Sequence, residues 1–373
     1  MAGAAASILM VAGEASADAH GAKVIAHLAG CLPGVAIFGL GGERMQAAGL
    51  RSVADPSVLN VVGISEALSG LGKIRRVFKT VIKEVERCNP RVALLMDLPD
   101  FNLRLARRLK RAGVPVIYYI APQAWAWRRG RVRQIRRRVE RLLVVFPFEE
   151  RFFSRYGIPV EFVGHPLAED AQADSVVHPR RVVLLPGSRI REIERLLPAL
   201  LGAAGIIEGL EPDLQFVLPL APGLDGDFVH SEIRRSGLDV RLSEASAACE
   251  LAGARLALAA SGTVTLEAAL AGVPAVVIYR VSRLTHALVR PFFRLQHVCI
   301  VNILADRRLL PELLQGRARA EKIASAALPL LHDGRPREEA LRGLRTVKQM
   351  LGASRPSMRV AEIVAGYAQV EAK

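Results

Sequence analysis

The chain has 373 residues, 51% of them hydrophobic and 23% charged, so it can build a large core and is not a disordered tail. Lys plus Arg number 51 against 36 acids, a formal net charge of +15, which predicts an anionic partner: nucleic acid, a membrane surface or a phosphorylated substrate. At 5%, the aromatic residues are too few for a protein built on stacking platforms. The first 170 residues hold 25 basic and 15 acidic side chains, a net of +10, and the remaining 203 hold 26 and 21, a net of +5.

Cys31, Cys88, Cys249 and Cys299 are far apart, without CxxC or zinc spacing, and read as buried reduced thiols of a cytosolic protein. The apolar start lacks a basic n-region, so no signal peptide is expected. The longest charge-free run, 24–42, is interrupted by His27, Gly30, Pro33 and Gly34 and does not read as a membrane span. Membrane contact is therefore expected to be peripheral.

In chain order, short apolar runs alternate with helix-period segments, the signature of βαβ units on a parallel sheet. Strand 7–12 leads through Gly13-Glu14-Ala15-Ser16-Ala17-Asp18 to a helix over about 19–28, for which Ser16 or Asp18 is a candidate N-cap. Glu14, at a strand end, can also face a substrate hydroxyl. There is no GxGxxG, so a nicotinamide fingerprint is not supported. Strand 35–40 follows. A stretch from Glu66 to Arg87 then carries an apolar stripe (Leu68, Leu71, Ile74, Val77, Phe78, Val81, Ile82, Val85), with Lys73, Arg75, Arg76, Lys79 and Lys83 largely off it. Such a helix buries its stripe in the core or lies on anionic lipid. Strand 92–96 ends in Asp97-Leu98-Pro99-Asp100-Phe101-Asn102. Asp100 is placed to cap the helix around 102–111, and Asp97, at the strand terminus, to take a proton from an alcohol. Strand 115–120 precedes a dense basic cluster, Arg128, Arg129, Arg131, Arg133, Arg136, Arg137, Arg138 and Arg141, whose interleaved apolar residues predict one buried and one cationic face. Strand 142–146 follows, and His165, in Gly164-His165-Pro166, reads as structural more readily than catalytic, as does His20.

The pattern restarts after a polar junction near 165–180. Strand 181–185 runs into Pro186-Gly187-Ser188-Arg189 and a helix marked by Ile190, Ile193, Leu196, Leu197, Leu200, Leu201 and Ala204. The turn and the following helix end offer backbone N–H groups, and Arg189 adds a planar guanidinium, together a candidate diphosphate cradle. No Gly-Lys-Ser/Thr follows, so it is not a Walker A loop. After strands 216–219 and 256–260, Ser261-Gly262-Thr263 opens a second such turn, with Glu267 one helical turn on and able to accept from two ribose hydroxyls. Two phosphate-type turns in one half point to a nucleotide diphosphate. Strand 275–279 follows, and the final 20 or so residues read as helix.

These motifs, in this order, resemble the lipid-A-disaccharide synthases over roughly residues 7–332. They are Gly-Glu-Ala-Ser at 13–16, Gly-Gly-Glu-Arg-Met-Gln at 41–46, Asp-Leu-Pro-Asp-Phe-Asn at 97–102, Trp-Ala-Trp-Arg at 125–128 and Phe-Pro-Phe-Glu at 146–149. Gly-His-Pro at 164–166, Leu-Leu-Pro-Gly-Ser-Arg at 184–189, Ser-Gly-Thr at 261–263, Asn-Ile-Leu-Ala at 302–305 and Pro-Glu-Leu-Leu-Gln at 311–315 continue the series. The resemblance implies an α/β chain of GT-B architecture, two Rossmann-like doubly wound domains facing across a cleft. On this reading residues 1–172 form an acceptor and membrane-facing domain and 173–350 a UDP-sugar domain, while 351–373 is a C-terminal helix that can pack back on the first domain. It implies an inverting transfer of 2,3-diacylglucosamine from its UDP derivative to the 6-hydroxyl of 2,3-diacylglucosamine 1-phosphate (lipid X), with no metal and no organic cofactor. By the same resemblance Asp97 is the base, with Glu14, Ser16 and Asp100 lining the first-half side. Arg189 meets the diphosphate, Ser188, Ser261, Gly262, Thr263 and Glu267 complete the UDP pocket, and Asn302 lies near the donor. The chain departs from the family pattern at Ala17, at His20 and over His297-Val298-Cys299-Ile300-Val301-Asn302. The implied partners are the two lipid substrates and the anionic inner-membrane surface on its cytoplasmic face, not nucleic acid. The rival readings are a UDP-N-acetylglucosamine 2-epimerase of the same fold, a basic nucleic-acid binder, and a membrane-docking protein without turnover.

Overall fold

The computed structural model describes residues 7–59, 64–126, 130–169, 178–221, 224, 226–281, 296–352 and 355–369, except for the side chains of 64–71. The Trp127-Arg128-Arg129 part of the basic cluster, the junction residues 170–177 and the Leu68 and Leu71 side chains lie outside that description. The chain divides into two compact units, Met1–Glu169 with Ala353–Lys373, and Asp170–Gly352.

The first unit runs β1 (Ser7–Val11), α1 (Ala15–Cys31), β2 (Ala36–Leu40), α2 (Glu43–Ala47), β3 (Arg51–Ser52), α3 (Ile64–Cys88), β4 (Val92–Met96), α4 (Pro99–Arg111), β5 (Val116–Tyr119), α5 (Gly130–Arg138), β6 (Arg141–Val144), α6 (Pro147–Ser154) and β7 (Val160–Phe162). Its seven strands are parallel in the order β3-β2-β1-β4-β5-β6-β7. The apolar runs of β1 and β4 are buried along their whole length, as central strands covered by helices on both faces must be. In α3 the stripe residues Val77, Val81 and Val85 are buried in this core, with Ile74, Phe78 and Ile82 packed against it. Of the cysteines expected inside, Cys299 is buried and Cys88 half-buried, but Cys31, at the end of α1, and Cys249 are exposed.

The second unit runs β8 (His178–Leu185), α7 (Ile190–Leu210), β9 (Gln215–Pro219), α8 (Gly226–Ser236), β10 (Val240–Ser243), α9 (Ala247–Leu251), β11 (Ala254–Ala260), α10 (Val264–Leu270), β12 (Ala275–Tyr279), α11 (Ile300–Ala305), β13 (Glu312–Leu314), α12 (Ala320–Leu331) and α13 (Arg335–Met350). Its sheet is also parallel, in the order β10-β9-β8-β11-β12-β13. The closing helix α14 (Pro356–Gln369) belongs to the first unit, where it packs along α1. Ser357 fastens it there, its amide and hydroxyl each donating to the Glu169 carboxylate at 2.7 Å.

Both sheets are wound outward in two directions from one central pair of strands, β1/β4 and β8/β11. In such a sheet the chain leaves neighbouring strands on opposite faces, and a crevice opens at their carboxyl ends, where ligands bind. The four motifs of the sequence fall on these four strand ends.

Candidate active site

At the β1/β4 end, Asp97 is the first residue after β4 and takes a left-handed backbone, φ 50°, followed by Leu98 at φ 39°. Two successive non-glycine residues there cost roughly 1–3 kcal/mol each and persist only where the surroundings impose them. Asn102 donates from Nδ2 to the carbonyls of Met96 (2.8 Å) and Asp97 (2.9 Å), and the buried Tyr118 hydroxyl donates to the Asp97 carbonyl as well. So held, the Asp97 carboxylate meets the turn after β1, accepting from the Gly13 amide (3.2 Å) and the Glu14 amide (2.8 Å). Gly13 is required here, because a Cβ would overlap the Leu98 side chain. Burial pushes the Asp97 carboxyl up to about 7, with the Glu14 charge adding to the rise and the two amides opposing it. A carboxylate whose pKa stands near neutrality is both ionised and basic enough to take a proton from an alcohol.

Glu14 and Ser16 are exposed beside it, at the N-cap and in the first turn of α1. Neither Ser16 nor Asp18 caps that helix, contrary to expectation, and α1 begins at Ala15 because the Glu14 amide is capped from β4 by Asp97. Asp18 instead reaches α2, accepting from the amides of Arg44 (3.1 Å) and Met45 (3.2 Å). This explains the Gly-Gly-Glu-Arg-Met-Gln motif, since a Cβ on Gly42 would lie 2.8 Å from the Asp18 carboxyl carbon. Asp100 is not an N-cap either: Leu98 holds that position without a side-chain bond. The Asp100 carboxylate is engaged by Arg131 at 2.9 Å through both oxygens. Arg131, expected on the cationic face, is therefore buried.

One neighbouring feature, the Glu149 anchor, was not read from the sequence. The buried Glu149 accepts from the Trp125 indole N–H (2.8 Å) and the amides of Val145 (3.3 Å) and Phe146 (3.2 Å). Burial pushes its carboxyl up to about 7 against these three donors. The available signal was Pro147 at the first helical position with an acid two residues later, half of a capping box. His165 accepts at Nδ1 from the Leu167 amide (3.2 Å), capping a short turn, and burial with the nearby His20 lowers it to about 3, so it is neutral at physiological pH. That geometry fits the structural reading.

At the β8/β11 end, Gly187 has φ 113° and faces the Glu192 carboxylate, which a Cβ would strike. Ser188 and Arg189 are exposed on this turn, and Arg189 occupies the N-cap position of α7. Burial raises the Glu192 carboxyl while Arg189 lowers it. On the adjacent turn, Ser261 is half-buried, Gly262 and Thr263 are exposed, and Glu267 lies one turn in with its carboxyl raised by burial. Buried Thr265 donates its hydroxyl to the Gly262 carbonyl at 2.7 Å, fixing the turn. Asn302 is placed differently. Its side chain is fully buried, donating to the Leu310 carbonyl (2.8 Å) and Glu312 Oε1 (2.6 Å) and accepting from the Leu310 amide (2.8 Å), so it ties α11 to β13 from inside.

Residues 8–364 match the model of the family described as lipid-A-disaccharide synthetase. The chain belongs to the lipid-A-disaccharide synthase family. It is therefore an enzyme, a glycosyltransferase of lipid A biosynthesis. The lipid-A-disaccharide synthase of Geobacter sulfurreducens is 45% identical over 369 residues, 96% of each chain. That of Anaeromyxobacter sp. (strain K) is 42% identical over 370 residues, 96% of this chain and 97% of the relative. Among solved structures, the kitacinnamycin glycosyltransferase superposes with a TM-score of 0.66 at 15% identity, covering 98% of both chains. The UDP-GlcNAc 2-epimerase of Neisseria meningitidis superposes at 0.65 and 13% identity, covering 96% of this chain and 99% of its own. At such identities the likeness is one of fold, and the fold is GT-B; the epimerase likeness goes no further than that. Among the described residues no helix is long and apolar enough to cross a membrane.

Proposed function

We propose that this enzyme transfers the 2,3-diacylglucosamine unit of UDP-2,3-diacylglucosamine to the 6-hydroxyl of 2,3-diacylglucosamine 1-phosphate, forming a β-1,6-linked disaccharide 1-phosphate and UDP. Asp97 accepts the proton of the 6-hydroxyl as that oxygen attacks the anomeric carbon. The bond from that carbon to the diphosphate oxygen breaks, with inversion, and its electron pair leaves on UDP. Arg189 and the amides of the Pro186–Arg189 turn stabilise the departing diphosphate. Ser188, Ser261, Gly262, Thr263 and Glu267 border the nucleotide, and Glu14 and Ser16 border the acceptor. Proton transfer and charge stabilisation by side chains suffice, so no metal or organic cofactor takes part. The enzyme works peripherally on the cytoplasmic face of an anionic inner membrane, and its cationic surface meets lipid rather than nucleic acid.

The observation that carries this reading is the Asp97 carboxylate, held in a left-handed turn at the switch point of its sheet and raised to about 7. The test is UDP release with both lipid substrates present. We expect Asp97→Asn to lower turnover by about 10²–10⁴-fold, the range for loss of a general base, with the circular dichroism spectrum unchanged. Near-normal release by this variant removes Asp97 from the role, and epimerised UDP-sugar in place of disaccharide overturns the transfer reading.

A further inference from the structure

Four of the five arginines of α5 divide into two sets. Arg131 is buried on Asp100, and Arg138 donates to the Leu103 carbonyl (2.9 Å) and Gln134 Oε1 (2.8 Å). Arg133 and Arg136 instead line a surface cavity of about 510 Å³ with Gly130, Val132 and Tyr156. Among the described residues no acid lines it, and neither guanidinium has an ion pair or a side-chain hydrogen bond. Cations are crowded on this helix: burial, then the charges of Arg107 and Arg137, hold Arg138 below its ordinary pKa.

The residues that line the cavity are not among those that build the Asp97 site. In a parallel sheet each crossover helix starts at the carboxyl edge and runs back toward the amino edge. Arg133 and Arg136 lie about one and two turns along α5, some ~9 Å of helix from Gly130 to Arg136. Tyr156 follows the far end of α6 and is 39% exposed. Two guanidiniums three residues apart on one helix face present their planar donors to the oxygens of one phosphate. Val132 gives the cavity an apolar floor, and an exposed tyrosine with an apolar ring and polar tip suits the boundary between lipid and water.

We propose that this cavity holds the phosphate of an anionic phospholipid headgroup at a bilayer surface, with Tyr156 seated among the neighbouring headgroups. The proposal rests on the reading that the enzyme works on an anionic membrane. The test is sedimentation of the full chain with vesicles of equal phosphatidylglycerol and phosphatidylcholine, against phosphatidylcholine alone. Arg133→Gln/Arg136→Gln should bind the mixed vesicles about 10- to 30-fold more weakly than wild type, from the contribution of each basic residue near such a surface. Tyr156→Ser should weaken binding by a smaller factor, and UDP release on detergent-dispersed substrates should stay near wild type in both variants. Wild type that ignores phosphatidylglycerol overturns the membrane reading and this proposal with it. Wild type that binds while the double variant binds equally well overturns the cavity alone. Free glycerol phosphate binding as tightly as the vesicles, and lost in the double variant, makes this a soluble phosphate site and overturns the headgroup assignment. A fall in dispersed-substrate turnover matching the fall in vesicle binding places the arginines in substrate binding and overturns it too.

Discussion

The residues that set up the Asp97 site act on its backbone as much as on its carboxylate. The Tyr118 hydroxyl donates to the Asp97 carbonyl, and burial raises its phenol, so it remains a neutral donor throughout the working range. Tyr118→Phe removes one buried hydrogen bond, worth about 1 kcal/mol of stability. Its larger effect is on the turn, since the left-handed Asp97-Leu98 pair loses one of the donors that hold it. We expect kcat to fall by about 10-fold, the equivalent of 1.4 kcal/mol, with KM unchanged. Asp97 itself sets the pH dependence. Its folded pKa is raised, so the base form is lost as pH falls through about 7, not through the ordinary carboxylate range near 4. The acid limb of kcat/KM should therefore bend near pH 7 and move upward in Tyr118→Phe as the Gly13 and Glu14 amides lose contact. The sign for stability is opposite to that of a salt-bridged acid. Between the unfolded pKa and about 7 the folded state binds the extra proton, so stability from this group is present below that window and lost as pH rises through it. Asp97→Asn should then be the more stable protein at pH 8, by roughly 4 kcal/mol at most in urea unfolding, with the difference gone below the unfolded value.

At the scale of elements, the turn at Gly187 gives the sharpest prediction. Its φ of 113° suits glycine, and the Glu192 carboxylate occupies the space a Cβ needs. Gly187→Ala should cost roughly 1–3 kcal/mol, and calorimetry should show weaker UDP binding because the Ser188-Arg189 segment is displaced. Unchanged UDP affinity would place the nucleotide away from this turn. The central strands were legible in the sequence because full burial demands uninterrupted apolar runs, and β1, β4 and β12 read that way. The edge strands β3 and β7, and likewise β10 and β13, were not read, being two to four residues long and partly exposed, with no periodicity to detect. Helix starts failed for a different reason. Local capping rules look a few residues ahead, whereas α1 is capped by Asp97 from 83 residues away and α2 by Asp18 from the preceding helix. The motif loops themselves were legible because chemistry gathers at strand ends. What holds them was not, because a tyrosine inside a strand reads only as core.

For the whole molecule, the path of the last helix matters most. The chain leaves the first unit after Glu169, builds the entire second unit, and returns at residue 353 to finish the first. Val360, Ala361 and Val364 of α14 are fully buried, and Glu169 accepts from Ser357 while Glu161 pairs with Arg359 at 2.8 Å. The first unit is thus completed only when the chain end arrives, although its sheet and motifs are all encoded before residue 170. Truncation after Gly352 removes these apolar contacts, each fully buried valine contributing about 1.5–3 kcal/mol, and strips Glu169 of two donors. The second unit loses nothing that it contains. Amide hydrogen exchange on the truncated chain should therefore show α1 and β1 deprotected while β8, β11 and α7 keep their protection. UDP binding should survive, as the proposed Arg189 site lies wholly within the second unit, and transfer to the acceptor should be lost. Retained protection in α1 would show that the first unit is stable without its final helix. Loss of protection in both units together would show that they unfold as one.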